Sequence, residues 1–338
     1  MISEIKIEEI FSSNLPIIDV RSPREFNHGH IPKATNISLF TNDERAHVGT
    51  VYKQQSKESA IEIGYTYVKP KLDQFISDTL KVAPNKKVIV HCWRGGMRSQ
   101  SFAKHLAENG FLDVRVISKG YKAYRKLVLN DLEKSINLKV LGGYTGSGKT
   151  KILKELEKKD YQVIDLEGLA NHKGSAFGGI GHKKQPTVEQ FENNLHAAWR
   201  KLDINKPIWV EDESHNIGNV KIPIQFFKQI RNANLYFMDI PKSERAKFLV
   251  TEYANKNTQL LKESVLRISK RLGDLNTKRS LQLLDEENFY EVALISLYYY
   301  DKFYLKGMKK RSSEVVQINL PSTDHYNNAL KIEKLTKK

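Results

Sequence analysis

The chain has 338 residues, carries 55 Lys and Arg against 39 Asp and Glu for a formal charge of +16 at pH 7, and is 40% hydrophobic. That apolar share, with 14 Phe, 15 Tyr and 3 Trp, excludes wholesale disorder, and a single cysteine excludes an internal disulfide or a Cys-rich zinc site. Mean hydropathy is −0.51 and no apolar run approaches ~18 residues, which excludes a membrane-spanning helix.

The acidic N-terminus lacks the apolar segment of a secretory signal, so the expected setting is a reducing cytoplasm, with no membrane partner. Residues 1–130 hold 20 basic and 13 acidic side chains, and residues 131–338 hold 35 and 26. Positive charge spread in this way suits a nucleic-acid partner and equally suits a solvated Lys-rich surface.

In chain order, residues 15–20 and 87–91 are apolar and rich in β-branched side chains, the pattern of buried strands. Between them, Leu72, Phe75, Ile76 and Leu80 recur at helical spacing within residues 70–82. Residues 99–109 predict a second helix closed by Gly110, and residues 114–117 another strand. Strands alternating with helices predict a parallel sheet covered on both faces. Residues 121–137 are charged and helical in pattern, and look like a connector. Residues 138–141 then open a second α/β unit, with further strands expected at 162–165, 207–210 and 234–238.

From about residue 243 the pattern becomes helical, and Leu261, Val265, Ile268 and Leu272 share one face. Phe289, Tyr290, Tyr298, Tyr299, Tyr300, Phe303 and Tyr304 fit helix core better than a base-stacking platform. The expected class is α/β throughout. A parallel-sheet domain spans residues 1–130, a P-loop α/β domain residues 131–242, and a helical part residues 243–338, packed on the P-loop domain.

The sole cysteine lies in a strand–loop–helix context, His91-Cys92-Trp93-Arg94-Gly95-Gly96-Met97-Arg98-Ser99. Such a loop curls backbone N–H groups around the sulfur at a helix N-terminus, and Arg94 and Arg98 add positive potential. Both effects favour the nucleophilic thiolate. These residues resemble the rhodanese family. So do Asp19-Val20-Arg21, Glu25-Phe26 and Gly29-His30-Ile31-Pro32 upstream, where Asp19, Arg21, His28 and His30 read as structural. The Cys-x5-Arg spacing also matches rhodanese-like phosphatases and points to a phosphate-like group beside the sulfur.

Gly143-Tyr144-Thr145-Gly146-Ser147-Gly148-Lys149-Thr150 fits G-x-x-x-x-G-K-[ST] between a strand and a helix, the context a phosphate-binding loop requires. Lys149 can reach a terminal phosphate, and Thr150 can hold Mg²⁺ or bond a phosphate oxygen directly. Glu211, Asp212 and Glu213 end a strand, where they are either a magnesium site or a solvated acidic turn. Residues 171–181 are glycine-rich and aperiodic, as lids and binding loops are.

This order of motifs resembles the bacterial tRNA 2-selenouridine synthase family, as do Asn171-His172-Lys173-Gly174 and Glu211-Asp212-Glu213-Ser214. The resemblance implies a transferase acting on wobble 2-thiouridine of tRNA, first S-geranylating it from geranyl diphosphate. It then implies replacement of the S-geranyl group by selenium from selenophosphate, with a selenophosphate supply enzyme as a further partner. Cys92 would displace phosphate and carry selenium as a selenosulfide. The P-loop would hold a diphosphate, with no tightly bound cofactor. Arg267, Lys270, Arg271, Lys278 and Arg279 are the tRNA-binding candidates. A phosphatase or sulfurtransferase fused to an ATP-dependent small-molecule kinase is the rival reading.

Overall fold

A computed structural model describes residues 1–308 and 311–336, with the side chains of Phe303 and Lys306 outside the description. The chain forms two compact units that divide after Asp131. Among the described residues no helix is long and apolar enough to cross a membrane.

The first unit begins with β1 (Ile2–Ile5), β2 (Ile17–Asp19), α1 (Pro23–His28) and β3 (Thr35–Asn36). Three helices follow: α2 (Asn42–Gln54), α3 (Lys57–Val68) and α4 (Leu72–Val82). The unit closes with β4 (Lys87–His91), α5 (Met97–Glu108), β5 (Asp113–Ile117) and α6 (Gly120–Leu132). Its strands form one parallel sheet in the order β1-β5-β4-β2-β3.

The central β4 buries Val88, Ile89 and Val90 completely, as a strand covered on both faces must. Phe75 from α4 and Phe102 from α5 meet beneath it at 5.3 Å between ring centroids. The expected C′ glycine is in place, with Gly110 at φ +83° just beyond α5.

Two features depart from the sequence reading. Ile2–Ile5 is a strand, an edge strand paired with β5, in which only Ile5 is buried; so short and polar a segment carries little strand signal. The stretch expected as a connector begins as α6, whose Tyr121, Tyr124 and Val128 are fully buried. Its Lys122 and Lys126 are exposed, on a helix that lies almost wholly in the first unit.

The second unit opens with β6 (Leu138–Gly143), α7 (Lys149–Glu157), β7 (Gln162–Ile164), α8 (Leu166–Ala170) and α9 (Val188–Trp199). Next come β8 (Ile208–Glu211), the two-residue strands β9 (Asn216–Ile217) and β10 (Val220–Lys221), α10 (Ile224–Asn232) and β11 (Leu235–Asp239). The helical part comprises α11 (Lys242–Tyr253), α12 (Thr258–Arg267), α13 (Ser269–Leu272), α14 (Asp274–Asp285) and α15 (Phe289–Met308). The described chain ends with β12 (Val315–Asn319) and α16 (His325–Thr336).

The main sheet is parallel, in the order β12-β11-β6-β8-β7, so the strand leading into the phosphate loop is central. β12 interrupts the expected helical part. It pairs with β11 from Leu235↔Val315 to Asp239↔Asn319 and completes the sheet's edge, burying only Ile318 of its own residues. Ile268 ends α12 and starts α13, yet Leu261, Val265, Ile268 and Leu272 all remain buried against Leu283, Leu284 and Val292.

Trp209 is fully buried in β8 among Leu141, Ile152 and Met238, with Tyr236 at 5.1 Å. Trp209→Ala is expected to lower unfolding free energy by about 3–5 kcal/mol in urea titration, because its burial is forfeited and a cavity is left behind.

A cysteine loop and a phosphate loop

Both sequence-predicted loops leave the carboxyl end of a central strand and run into a helix. In the first unit, β4 delivers Cys92, and Gly95 and Gly120 let two backbones meet there. A Cβ on Gly95 (φ +65°) would fall 2.4 Å from the Ile117 carbonyl oxygen, and one on Gly120 (φ +56°) 2.3 Å from that of Cys92. The start of α6 closes this approach, its Tyr121 and Lys122 N–H groups donating to the Cys92 and Trp93 carbonyls at 2.9 Å each. The loop is therefore held from outside itself.

Cys92 is buried, its Sγ 3.2 Å from Ser99 Oγ and 3.9 Å from the Gly96 carbonyl oxygen. Ser99 Oγ also lies 3.0 Å from the same carbonyl oxygen, so thiol, hydroxyl and carbonyl form one cluster. Trp93, Arg94, Gly96 and Met97 of this loop are exposed.

Arg98 has a partner in the same unit. It makes a two-pronged pair with Glu25 of α1, Nη1 to Oε2 at 2.8 Å and Nη2 to Oε1 at 3.3 Å. Glu25 Oε2 also accepts the Ser22 N–H that caps α1 at 3.0 Å, and Arg45 Nε of α2 lies 3.7 Å from it. Burial works to raise the Glu25 pKa, but Arg98, Ser22 and Arg45 outweigh it and hold the carboxyl below its ordinary value.

Asp19 and Arg21 are a structural pair, as their sequence pattern suggested. They meet at 2.6 Å, and Arg21 also donates to the Gly29 carbonyl at 2.7 Å while its guanidinium lies 3.8 Å over the Tyr121 ring. His30 stacks on Phe26 at 3.9 Å.

In the second unit, β6 runs to Gly143 and α7 starts at Lys149. Gly146 (φ +80°) and Gly148 (φ +74°) take the left-handed conformation that turns the phosphate loop. A Cβ on Gly148 would lie 2.8 Å from the His325 ring at the start of α16. Arg245 of α11, buried, donates to the Thr145 carbonyl at 3.1 Å and pairs with Asp301 of α15 at 2.9 Å. Tyr144 is packed edge-on against Phe237 at 5.0 Å, beneath the Arg245 guanidinium. The Ser147 hydroxyl is buried without a partner among the described residues.

Lys149 Nζ lies 3.4 Å from the Gly143 carbonyl and 5.5 Å from the Tyr304 ring. Burial alone would weaken its hold on the proton; Tyr304, Glu213, Glu167 and Asp212 reverse that and raise its pKa above the ordinary lysine value.

The Thr150 hydroxyl donates to Glu167 of α8, a residue with no motif to mark it in the sequence. Glu167 follows the short strand β7 by three positions. The acidic triplet divides by role. Asp212 accepts from Arg311 at 2.7 Å and Arg231 at 3.4 Å, a structural tie. Glu211 is fully buried and accepts the Leu166 N–H at 2.9 Å; burial, Asp165 and Glu167 push its pKa well up. Glu213 is pushed up to about 8 by burial and Glu167 against the pull of Lys149.

Among the described residues no group of three acidic, histidine or cysteine side chains is placed to hold a metal ion.

The glycine-rich loop at residues 171–181 is seated on this unit. The Ala176 N–H donates to Tyr300 Oη at 3.1 Å, Lys173 pairs with Glu252 at 2.5 Å, and Gly174 has no room for a Cβ beside Glu213. Arg267, Lys270, Arg271, Lys278 and Arg279 lie on α12, α13 and α14 and none of them is buried. Arg267 lies 3.9 Å from Glu263, and Arg271 donates to Tyr299 Oη at 2.9 Å. Leu266 and Leu275 are exposed on the same helices.

A rhodanese-like domain profile matches residues 6–127, and one described as a tRNA 2-selenouridine synthase AAA domain matches residues 136–323. The chain belongs to the tRNA 2-selenouridine synthase family. A family member from Nitrosomonas eutropha is 32% identical over 361 residues, covering 90% of this chain and 92% of its own. One from Shewanella sediminis is 34% identical over 348 residues, covering 91% and 92%. Among solved structures, the N-terminal domain of a putative ATP/GTP binding protein from Clostridium difficile 630 is 40% identical. It covers 37% of this chain and 98% of its own, with a TM-score of 0.36.

Because Glu213 binds its proton more tightly folded than unfolded, its contribution to stability is full below the unfolded carboxyl pKa and fades as pH rises toward about 8. Glu213→Gln, permanently neutral, is expected to flatten the fall in melting temperature between about pH 5 and 8, followed by circular dichroism. An unchanged slope would mean that Glu213 is ionised in the folded state.

Proposed function

We propose that this chain is a transferase that converts wobble 2-thiouridine of tRNA to 2-selenouridine in two steps. The phosphate-loop unit binds geranyl diphosphate and passes its geranyl group to the thiouridine sulfur. The Cys92 loop then takes selenophosphate and supplies the selenium that replaces the S-geranyl group. The observation that carries this reading is the pairing, in one chain, of a buried lone thiol in a glycine-turned loop with a phosphate loop whose Lys149 stays charged. The names borne by its relatives support the same reading.

The electrostatics are consistent with a bound diphosphate. Burial and neighbouring carboxyls push the Glu211 and Glu213 pKa values up, while Lys149 holds its proton and, with the loop N–H groups, favours an anion. In geranyl transfer the bond from carbon to the diphosphate oxygen breaks as the sulfur–carbon bond forms, and Lys149 stabilises the departing charge. The tRNA would meet the cations of α12–α14, and cytoplasmic selenophosphate would come from a separate enzyme.

Cys92→Ser is expected to abolish selenium incorporation and spare S-geranylation, read by mass spectrometry of tRNA nucleosides; loss of both in a folded variant overturns the division of labour. Lys149→Ala should slow geranyl transfer by roughly 10²–10³-fold, the kinetic equivalent of ~2.7–4 kcal/mol of charge stabilisation; an unchanged single-turnover rate sinks the assignment. Replacing Arg267, Lys270, Arg271, Lys278 and Arg279 together by Ala should lower the log–log salt slope of tRNA binding by roughly 0.7–0.9 for each phosphate no longer neutralised. An unchanged slope identifies these side chains as an ordinary solvated face.

A further inference from the structure

The chemistry expected of Cys92 from sequence, attack on selenium with departure of phosphate, does not balance. Selenium in selenophosphate is already selenide. A thiolate attacking it would expel phosphorus with the bonding electron pair, as phosphite, and the released product would not be phosphate. Forming a selenosulfide while releasing phosphate would require an oxidant, and the reaction supplies none. Attack at phosphorus needs no redox partner. The sulfur–phosphorus bond forms, the phosphorus–selenium bond breaks, and selenide leaves with the pair.

The surroundings of the loop suit a phosphoryl group. Five residues separate Cys92 from Arg98, and α5 begins at Met97, so its first N–H groups face the loop. Arg98 spends two of its five donors on Glu25, and no other partner is seen for it among the described residues. Arg45, which no sequence motif marks, supplies a second guanidinium at the same carboxylate. Its buried Nε has no hydrogen-bond partner among the described residues. Gly49, one turn along α2, makes room for it, since a Cβ there would lie 2.6 Å from Arg45 Nη1. Two guanidiniums share one carboxylate, an excess of positive charge that an entering phosphoryl dianion would balance.

We propose that Cys92 is the acceptor of the phosphoryl group of selenophosphate, which Arg98 and Arg45 hold with Glu25 as their positioning residue. The cycle has three parts. The Cys92 thiolate takes the phosphoryl group and releases hydrogen selenide anion. That selenide attacks C2 of the S-geranylated uridine and expels geranylthiolate. Water then hydrolyses the cysteinyl phosphate, returning the thiol and inorganic phosphate. The proposal rests on selenophosphate being the donor; it is independent of where geranylation occurs.

The test uses the full chain without tRNA, given selenophosphate labelled in one portion at phosphorus and in another at selenium, with rapid quenching. Phosphorus label retained on the Cys92 peptide, selenide released, and both abolished in Cys92→Ser is the expected result. Selenium retained on Cys92, or no retained label with selenide release unchanged in Cys92→Ser, overturns the proposal. A second measurement is protection of Cys92 from iodoacetamide by inorganic phosphate. Arg45→Gln, Glu25→Gln and Gly49→Ala should each need roughly ten-fold more phosphate for half-protection, about the worth of one charge-assisted hydrogen bond. Unchanged protection in all three, with intact circular dichroism, removes Arg45 and Glu25 from the site. Phosphorylation of Cys92 without selenium ever reaching tRNA would overturn the proposed function and leave this inference standing.

Discussion

A parallel sheet covered by helices on both faces leaves its reactive backbone at one place, the carboxyl ends of its central strands. The placement of both loops of this protein follows from that constraint. β4 is buried along Val88, Ile89 and Val90 and releases the chain at Cys92; β6 is buried along Val140 and Leu141 and releases it into the phosphate loop. In each case the turn into the following helix is tight, glycines take positive φ, and backbone N–H groups gather where an anion can sit. The two units share no motif, yet they solve the same geometric problem.

What differs between them is the treatment of charge. In the first unit a glutamate is committed to the ionised state: Glu25 lies between Arg98 and Arg45, and its pKa is lowered despite burial. In the second unit burial prevails, because the neighbours of Glu211 and Glu213 are largely other carboxyls. Identical side chains thus have their pKa lowered in one unit and raised in the other. Glu25 gathers Arg98 and Arg45, whereas Glu211 and Glu213 share their surroundings with other carboxyls near Lys149.

The helical part of the second unit braces its phosphate loop. Arg245 on α11 reaches back to the Thr145 carbonyl across 100 residues of sequence, and Asp301 on α15 holds the other side of its guanidinium. His325 on α16 occupies the space beside Gly148, and Tyr304 on α15 lies over Lys149. Elements with no catalytic signature of their own hold the loop that has one.

The sequence by itself determined the alternation of strand and helix, the central strands, the two loops and the family resemblance. Those features are local: a run of β-branched residues, a glycine spacing, or a cysteine five residues from an arginine is readable within about ten positions. It also favoured a structural role for Asp19 and Arg21, two residues apart on one strand end. The tertiary structure decided the rest, because the remaining signals are single polar residues far apart in the chain. Glu25 finds Arg98 73 positions away, Arg311 finds Asp212 99 away, and Thr150 finds Glu167 across the end of β7. No periodicity announces such pairs. Nor does it announce β1 and β12, edge strands too exposed to alternate clearly, which form because a neighbouring strand offers unpaired backbone groups.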